Sequence, residues 1–343
     1  MTSVLKLKKL FKNQDKRQYI FIALILVFIF YHKLSQLDSY NFNGETMGTT
    51  WKVILISDDS SLGKDIDQVF RTIDRDMSTY KQTSLLNKIN SLPIDSIIEI
   101  NDDMLNVLRE SLRICNLTGG AFNISVGRSV GAWGFGPKAN ETSDKVKLLN
   151  NRHRHTCNSY KLYKGGLKKI NNIHLDLSAI AKGYAIDKVA NLLDDNRIDN
   201  YFIELGGEVR FKGKNLNKPW SVGITNPSKI GEPIFILDSS DLNDISLATS
   251  GNYLNYKRIN GNFYSHTINP KTNLPIGERP TLSVSVFHNS AMTADALATA
   301  LNVMGFSEGI SFANTNSIKA LFLYQNSSKI EMLASDQIAE ILK

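Results

Sequence analysis

The chain has 343 residues, 42% apolar and 21% charged, with two cysteines. That balance supports a full hydrophobic core and excludes a disordered, collagen-like or disulfide-scaffold protein. Of the net charge of +7, the share from Lys6, Lys8, Lys9, Lys12, Lys16 and Arg17 against Asp15 is +5, confined to residues 1–18; no long basic run remains elsewhere to neutralise a phosphate backbone, and no nucleic-acid partner is expected.

After the basic tail (1–18) comes YIFIALILVFIFY, residues 19–31, without a charge and bounded by His32 and Lys33. Such a run needs an apolar solvent. It is shorter than the ~20 residues of an ideal spanning helix, but tyrosines at both ends and a snorkelling Lys33 extend it into the interfaces. It reads as a transmembrane signal anchor over 19–34 or as the core of a cleaved signal peptide. The following HKLSQLDSYNF has no A-x-A-like site, and no cysteine precedes Cys115, which favours retention. Either way the basic tail stays cytoplasmic. The expectation is a single-pass protein of the cytoplasmic membrane with its working domain on the extracytoplasmic (periplasmic) side. Cys115 and Cys157 then meet an oxidising compartment, and their spacing does not decide whether they pair.

A polar linker (35–42) leads into a domain expected over 43–343. Residues 51–56 (WKVILI) read as a strand, and 63–80 as a helix with Ile66, Val69, Phe70 and Ile73 on one face. A second helix runs from Asp102 to a stop at Gly119-Gly120. Then follow a strand at 173–177, a helix at 185–193, strands at 201–205, 220–224 and 234–237, and a hairpin of 253–259 with 262–268 around Asn260-Gly261. A strand at 281–287, a helix at 294–304 and a strand at 319–324 close the order. Strands and helices interleave, but turn-linked hairpins favour α+β over a doubly wound sheet.

Several motifs invite a chemical reading. Gly127-Arg128-Ser129-Val130-Gly131 satisfies G-x-S-x-G after a strand-like FNISV, with Asp176 and His266 in order; the glycines and proline of the AWGFGP that follows resist the helix a nucleophile elbow needs. Gly134-Phe135-Gly136 with Ala139 mimics a dinucleotide fingerprint but lacks its strand and helix. His153, His155 and Cys157 alternate as metal ligands on a strand would, in a polar setting better suited to a solvated loop. The six glycines between Gly119 and Gly136 allow either close approach to a ring or phosphate, or plain turns. Asp295 and Thr299, four apart on a helix, form a hard oxygen pair suited to Mg²⁺. The alternative is that Asp295 sits in a first turn behind a Thr293 cap. His266, in YSHTINP, ends a strand where a side chain can face a cleft, although a lone histidine is often structural.

In order, the stretches ETMGTTW (45–51), MSTY (77–80), 120–137, DLSAIAKGYAID (176–187), ELGGEV (204–209), ATSGNY (248–253), 264–276 and 291–305 resemble the ApbE family of FAD:protein FMN transferases. The resemblance implies an α+β fold of mixed, largely antiparallel sheets with packed helices, preceded here by one N-terminal membrane helix. It implies an enzyme that takes FAD as substrate with Mg²⁺ and moves FMN onto a Thr or Ser hydroxyl of a partner flavoprotein, such as a membrane redox complex subunit, releasing AMP. By family pattern Asp295 and Thr299, with the carbonyl of Ala179, bind the metal. Met47, Tyr80, Ala121, Phe122, Asn123, Asp176, Lys182 and Ile268 align with positions that contact the flavin or adenine. His266 becomes the candidate general base, with Asp295 also catalytic through the metal. Asn123 and Asn269 replace frequent aspartates, Ala298 stands where some members have a carboxylate, Lys182 where some have Glu, and Glu204 where Asn is frequent. Alternatives are FAD hydrolysis to FMN and AMP, and a non-catalytic FAD-binding protein.

Overall fold

The computed structural model describes residues 37–137, 156–240, 242 and 244–341, together with Phe21, Leu24 and Ile25. Period-two alternation of apolar side chains along eight segments builds one sheet. Its strands are β1 (Asp38–Thr46), β2 (Thr49–Ser57), β3 (Tyr201–Leu205), β4 (Glu208–Lys212), β5 (Ile245–Gly251), β6 (Thr281–His288), β7 (Lys319–Asn326) and β8 (Lys329–Ala334). They lie side by side in that order, and each pair is antiparallel. The helices are α1 (Gly63–Met77), α2 (Leu85–Ser91), α3 (Asp102–Leu117), α4 (Gly127–Ala132), α5 (Ala181–Asp195), α6 (Ala291–Met304), α7 (Phe306–Thr315) and α8 (Asp336–Ala339). Smaller hairpins fill the connections, including Ser221–Asn226 with Lys229–Asp238 and Tyr256–Ile259 with Asn262–Ser265.

The alternation divides the core in two. Val53, Leu55, Ile203, Leu205, Val284, Val286 and Phe322 face the helices in the larger cluster. Ile56, Val209, Phe211, Phe287, Leu321 and Leu323 face away, against Trp220, Val222 and Leu237 of the 220–238 region and Ile338 of α8. Successive strand residues point to opposite faces, so one sheet serves both layers. The α+β expectation holds, with the large sheet wholly antiparallel.

Several expectations are corrected. The sheet begins at Asp38, inside the segment expected as linker, because Tyr40 and Phe42 alternate with polar residues and pair across the whole of β2. The first helix stops at Met77 rather than residue 80; Ser78 turns out of it and its hydroxyl accepts from the backbone N–H groups of Tyr80 and Lys81. Residues 173–177 form no strand beyond a single parallel bridge from His174 to Val126. There the side chain of Asn90 satisfies both the N–H and the C=O of Leu175, at 2.7 and 2.9 Å, in place of a sheet partner. FNISV is likewise not a strand, while the glycine-bearing 127–132 is helical. Cys115, in the last turn of α3, is bonded to Cys157, with Cα atoms 5.7 Å apart. That bond takes Cys157 out of any metal set with His153 and His155, which lie outside the described residues, as does Ala139. The tail 1–18 and the anchor expected at 19–34 also lie outside them apart from Phe21, Leu24 and Ile25. Among the described residues no helix is long and apolar enough to cross a membrane.

Candidate active site

The site grows from the contact of two helices. Gly183 in the first turn of α5 lies so close to the start of α6 that a Cβ there would meet Ala291 O at 2.3 Å and Met292 Cα at 2.7 Å. Asp187, one turn further along α5, holds the junction. Its carboxylate accepts from the N–H groups of Ala291 (2.8 Å) and Met292 (3.0 Å), from Ser290 Oγ (2.7 Å) and from Arg210 Nη1 of β4 (2.7 Å). The α6 N-cap is therefore Ser290, whose Oγ accepts from Thr293 N–H, aided by Asp187. Thr293, expected as the cap, instead donates its hydroxyl to Glu110 at 2.6 Å. An acid at this end also favours the helix dipole.

Asp295 is buried within this junction, and its Oδ2 accepts from the Gly183 N–H at 3.2 Å. Gly183 is the third residue of α5, so its N–H is one of the helix-start donors that no intrahelical carbonyl receives, and Asp295 satisfies it. Asp295 Oδ1 receives no hydrogen bond from the described residues, and Thr299 lies one turn on, half-buried. Burial pushes the Asp295 carboxyl up to about 7, with Glu208 adding to the rise and Lys182 and the Gly183 N–H opposing it. Lys182 pairs with Glu208 of β4. Burial works against its ammonium, but Glu208, Asp295 and Glu204 outweigh that and raise its pKa. The second oxygen of Glu208 is buried without a hydrogen-bond partner. Among the described residues no group of three or more His, Cys, Asp or Glu side chains suits a metal.

His266 lies within electrostatic reach of Lys182. Its backbone N–H donates to Asn255 O at 3.0 Å, and its Nδ1 lies 3.0 Å from the same oxygen. A carbonyl only accepts, so the neutral ring carries its proton on Nδ1 and leaves the Nε2 lone pair open. Burial chiefly lowers the His266 pKa, and Lys182 lowers it further; the Asn255 contact and Asp176 pull the other way. The neutral base form is favoured.

The remaining candidates surround these groups. Met47 is in the β1–β2 turn at φ 51° and packs half-buried against the main core. The Gly206-Gly207 turn adjoins it, since Gly206 N–H donates to Thr50 O at 3.1 Å. Ala121 packs with Ile276 and Val303, beside the small hairpin in which Ile268 faces Pro275. Phe122 is core. Asn123 Oδ1 accepts from Ser125 N–H at 2.9 Å, while Asn123 Nδ2 and Ser125 Oγ are buried without partners. Asp176 accepts from the N–H (2.8 Å) and hydroxyl of Ser178, and its own N–H donates to Ile124 O at 2.7 Å. Tyr80 is 67% exposed and its hydroxyl reaches Phe135 O at 3.4 Å. Ser129 of the G-x-S-x-G match is buried inside α4 and donates to Asn273 Oδ1 at 3.0 Å. No hydrogen bond among the described residues joins it to His266 or Asp176, so the nucleophile-elbow reading ends there.

The sequence model of the ApbE family matches residues 47–322. The chain belongs to the ApbE family. A curated relative, the FAD:protein FMN transferase of Vibrio cholerae, is 35% identical over 314 residues, covering 89% of this chain and 93% of that protein. Among solved structures, a histidine-to-glycine mutant of the flavin transferase ApbE from the same species superposes with a TM-score of 0.80 at 34% identity. It covers 89% of this chain and all of that one. The apo flavinyl transferase ApbE of Pseudomonas stutzeri gives 0.81 at 28% identity, covering 90% and 98%.

Within this ApbE fold, Lys182 interacts electrostatically with Asp295 and with His266, and His266 with Asp176. Reading motifs one at a time missed Gly183, Asp187 and Glu208, which shape the site from inside DLSAIAKGYAID and ELGGEV. The signal was a glycine and an acid inside a helix, which look ordinary until a second helix is laid across them.

Proposed function

We propose that this chain is a FAD:protein FMN transferase, moving FMN from FAD to a Thr or Ser hydroxyl of a partner flavoprotein with release of AMP. The observation that carries this is the meeting of buried Asp295 and Lys182 at one helix junction, with a neutral, Nδ1-protonated His266 within electrostatic reach of Lys182. Relatives bearing this activity's name over nearly the whole chain support it.

The donors fit Mg²⁺. They are hard oxygens, and a buried carboxylate with one oxygen unbonded gains from a cation. Asp295, Thr299 and the Ala179 carbonyl would hold the ion, which supplies charge neutralisation at the pyrophosphate. Lys182 adds a second positive group, oriented by Glu208. Asp176, Asn123, Ala121, Phe122, Ile268, Met47 and Tyr80 form the surroundings for the flavin and adenine; the partnerless Asn123 Nδ2 is a donor awaiting a polar atom. His266 Nε2 takes the proton of the attacking hydroxyl. The anchor over 19–34, with the domain on the extracytoplasmic side, belongs to the same proposal, and a membrane redox complex subunit is the acceptor that such a location suits.

The test incubates full-length protein in detergent with FAD, Mg²⁺ and a candidate acceptor domain, then weighs the acceptor and assays AMP. AMP and acceptor adduct in equal amounts is the expected result. FAD left intact would overturn the proposal.

A further inference from the structure

Residues 133–135 follow α4 without regular structure of their own, yet they are held at several points. The Trp133 ring stacks on Tyr264 with centroids 5.3 Å apart, and its indole N–H donates to Asn273 O at 3.0 Å. Lys257 Nζ donates to Gly134 O at 2.6 Å and lies 5.1 Å from the Phe135 ring centroid. The Tyr80 hydroxyl donates to the Phe135 carbonyl at 3.4 Å. So fixed, the Phe135 ring meets His266 nearly edge-on, with centroids 6.5 Å apart and planes at 70°. Lys257 spends its ammonium on a backbone carbonyl and a ring face, which favours one position of Phe135.

The placement matters because two nucleophiles compete for one phosphorus. When an acceptor hydroxyl attacks, its oxygen bonds to the FMN-side phosphorus and its proton goes to His266. The bridging P–O bond breaks with its electron pair on the departing AMP. Water attacking the same way yields free FMN and AMP. A ring against the base removes space in which a water would sit, while a protein-borne hydroxyl brings its own surface to close the site.

We infer that Phe135, latched by Lys257, is a specificity-determining residue that screens His266 from water and so favours transfer over hydrolysis. This rests on the transferase reading above.

The experiment needs no acceptor: full-length protein in detergent is given FAD and Mg²⁺, and AMP release is timed. Phe135→Ala and Lys257→Met should each raise acceptor-free release about tenfold, equivalent to one lost barrier contact. FAD affinity should be unchanged, and Phe135→Leu should return the rate toward wild type. Release no faster than wild type in both folded variants would overturn the inference. His266→Asn separates the two readings. If basal release falls in His266→Asn but Phe135→Ala leaves the rate unchanged, only the screen fails; if basal release ignores His266→Asn, the base assignment fails.

Discussion

Asp295 sits where a carboxylate is least comfortable, buried beside Glu208 with one N–H donor and one ammonium to offset the cost. Replacement by Asn keeps its size and removes the charge. Asp295→Asn should lose on the order of 100-fold or more in AMP release, the scale of removing a key electrostatic group. It should also abolish any rise in melting temperature on adding Mg²⁺, while the metal-free protein melts no lower than wild type. His266 has the opposite problem. Its folded pKa lies below the ordinary value, so between the two the unfolded chain binds more protons, and stability rises with pH across that window. The His266 contribution is therefore present above about pH 6.5 and lost as pH falls toward the depressed value. The same shift keeps the base unprotonated in mild acid, so the acidic limb of the AMP-release profile should fall below pH 6.5 and vanish in His266→Asn.

At the level of elements, the α5–α6 junction decides the site. Gly183→Ala would drive a methyl into the Ala291 carbonyl, and the helices must part. The expected cost is about 1–3 kcal/mol in urea unfolding, accompanied by weaker Mg²⁺ binding, because the proposed ligands Asp295 and Ala179 come from the two sides of that junction. Asp187→Ala strands the buried Arg210 charge and leaves the Ala291 and Met292 N–H groups of α6 without their acceptor, for a loss of about 3–5 kcal/mol. Arg210 retains Asp244 at 2.9 Å, which sets the lower end of that range. An Asp187→Ala protein as stable as wild type in urea would refute the clamp.

Over the whole molecule, the disulfide fastens the chain across 42 residues, from the end of α3 to the start of the segment leading to Tyr160. Closing a loop of that length contributes about 2–4 kcal/mol through the unfolded state. Reduction, or Cys115→Ser with Cys157→Ser, should lower the melting temperature measurably; an unchanged melt would assign the bond no structural weight. Helix α3 feeds through Gly119-Gly120 directly into Ala121–Asn123, so FAD affinity should weaken in parallel.

Much was legible in the chain itself, and the reason is local. Period-two runs such as WKVILI and TLSVSVF announce their strands, Asn260-Gly261 announces its hairpin, and the spacing of Asp295 and Thr299 announces a shared helix face. The combined motifs carried the family. What lay outside local reach were groups satisfied by distant partners. Asn90 replaces a strand for Leu175, Asp187 rather than Thr293 secures α6, and β1 exists because β2 pairs with it. The disulfide depended on Cys115 and Cys157 being brought together by the fold. Sequence alone determined which residue types and periodicities were present, because backbone sterics and side-chain alternation act within a few residues. Only the tertiary structure decided which oxygen of Asp295 is bonded, which nitrogen of His266 holds the proton and where Phe135 rests, because each depends on a partner far along the chain.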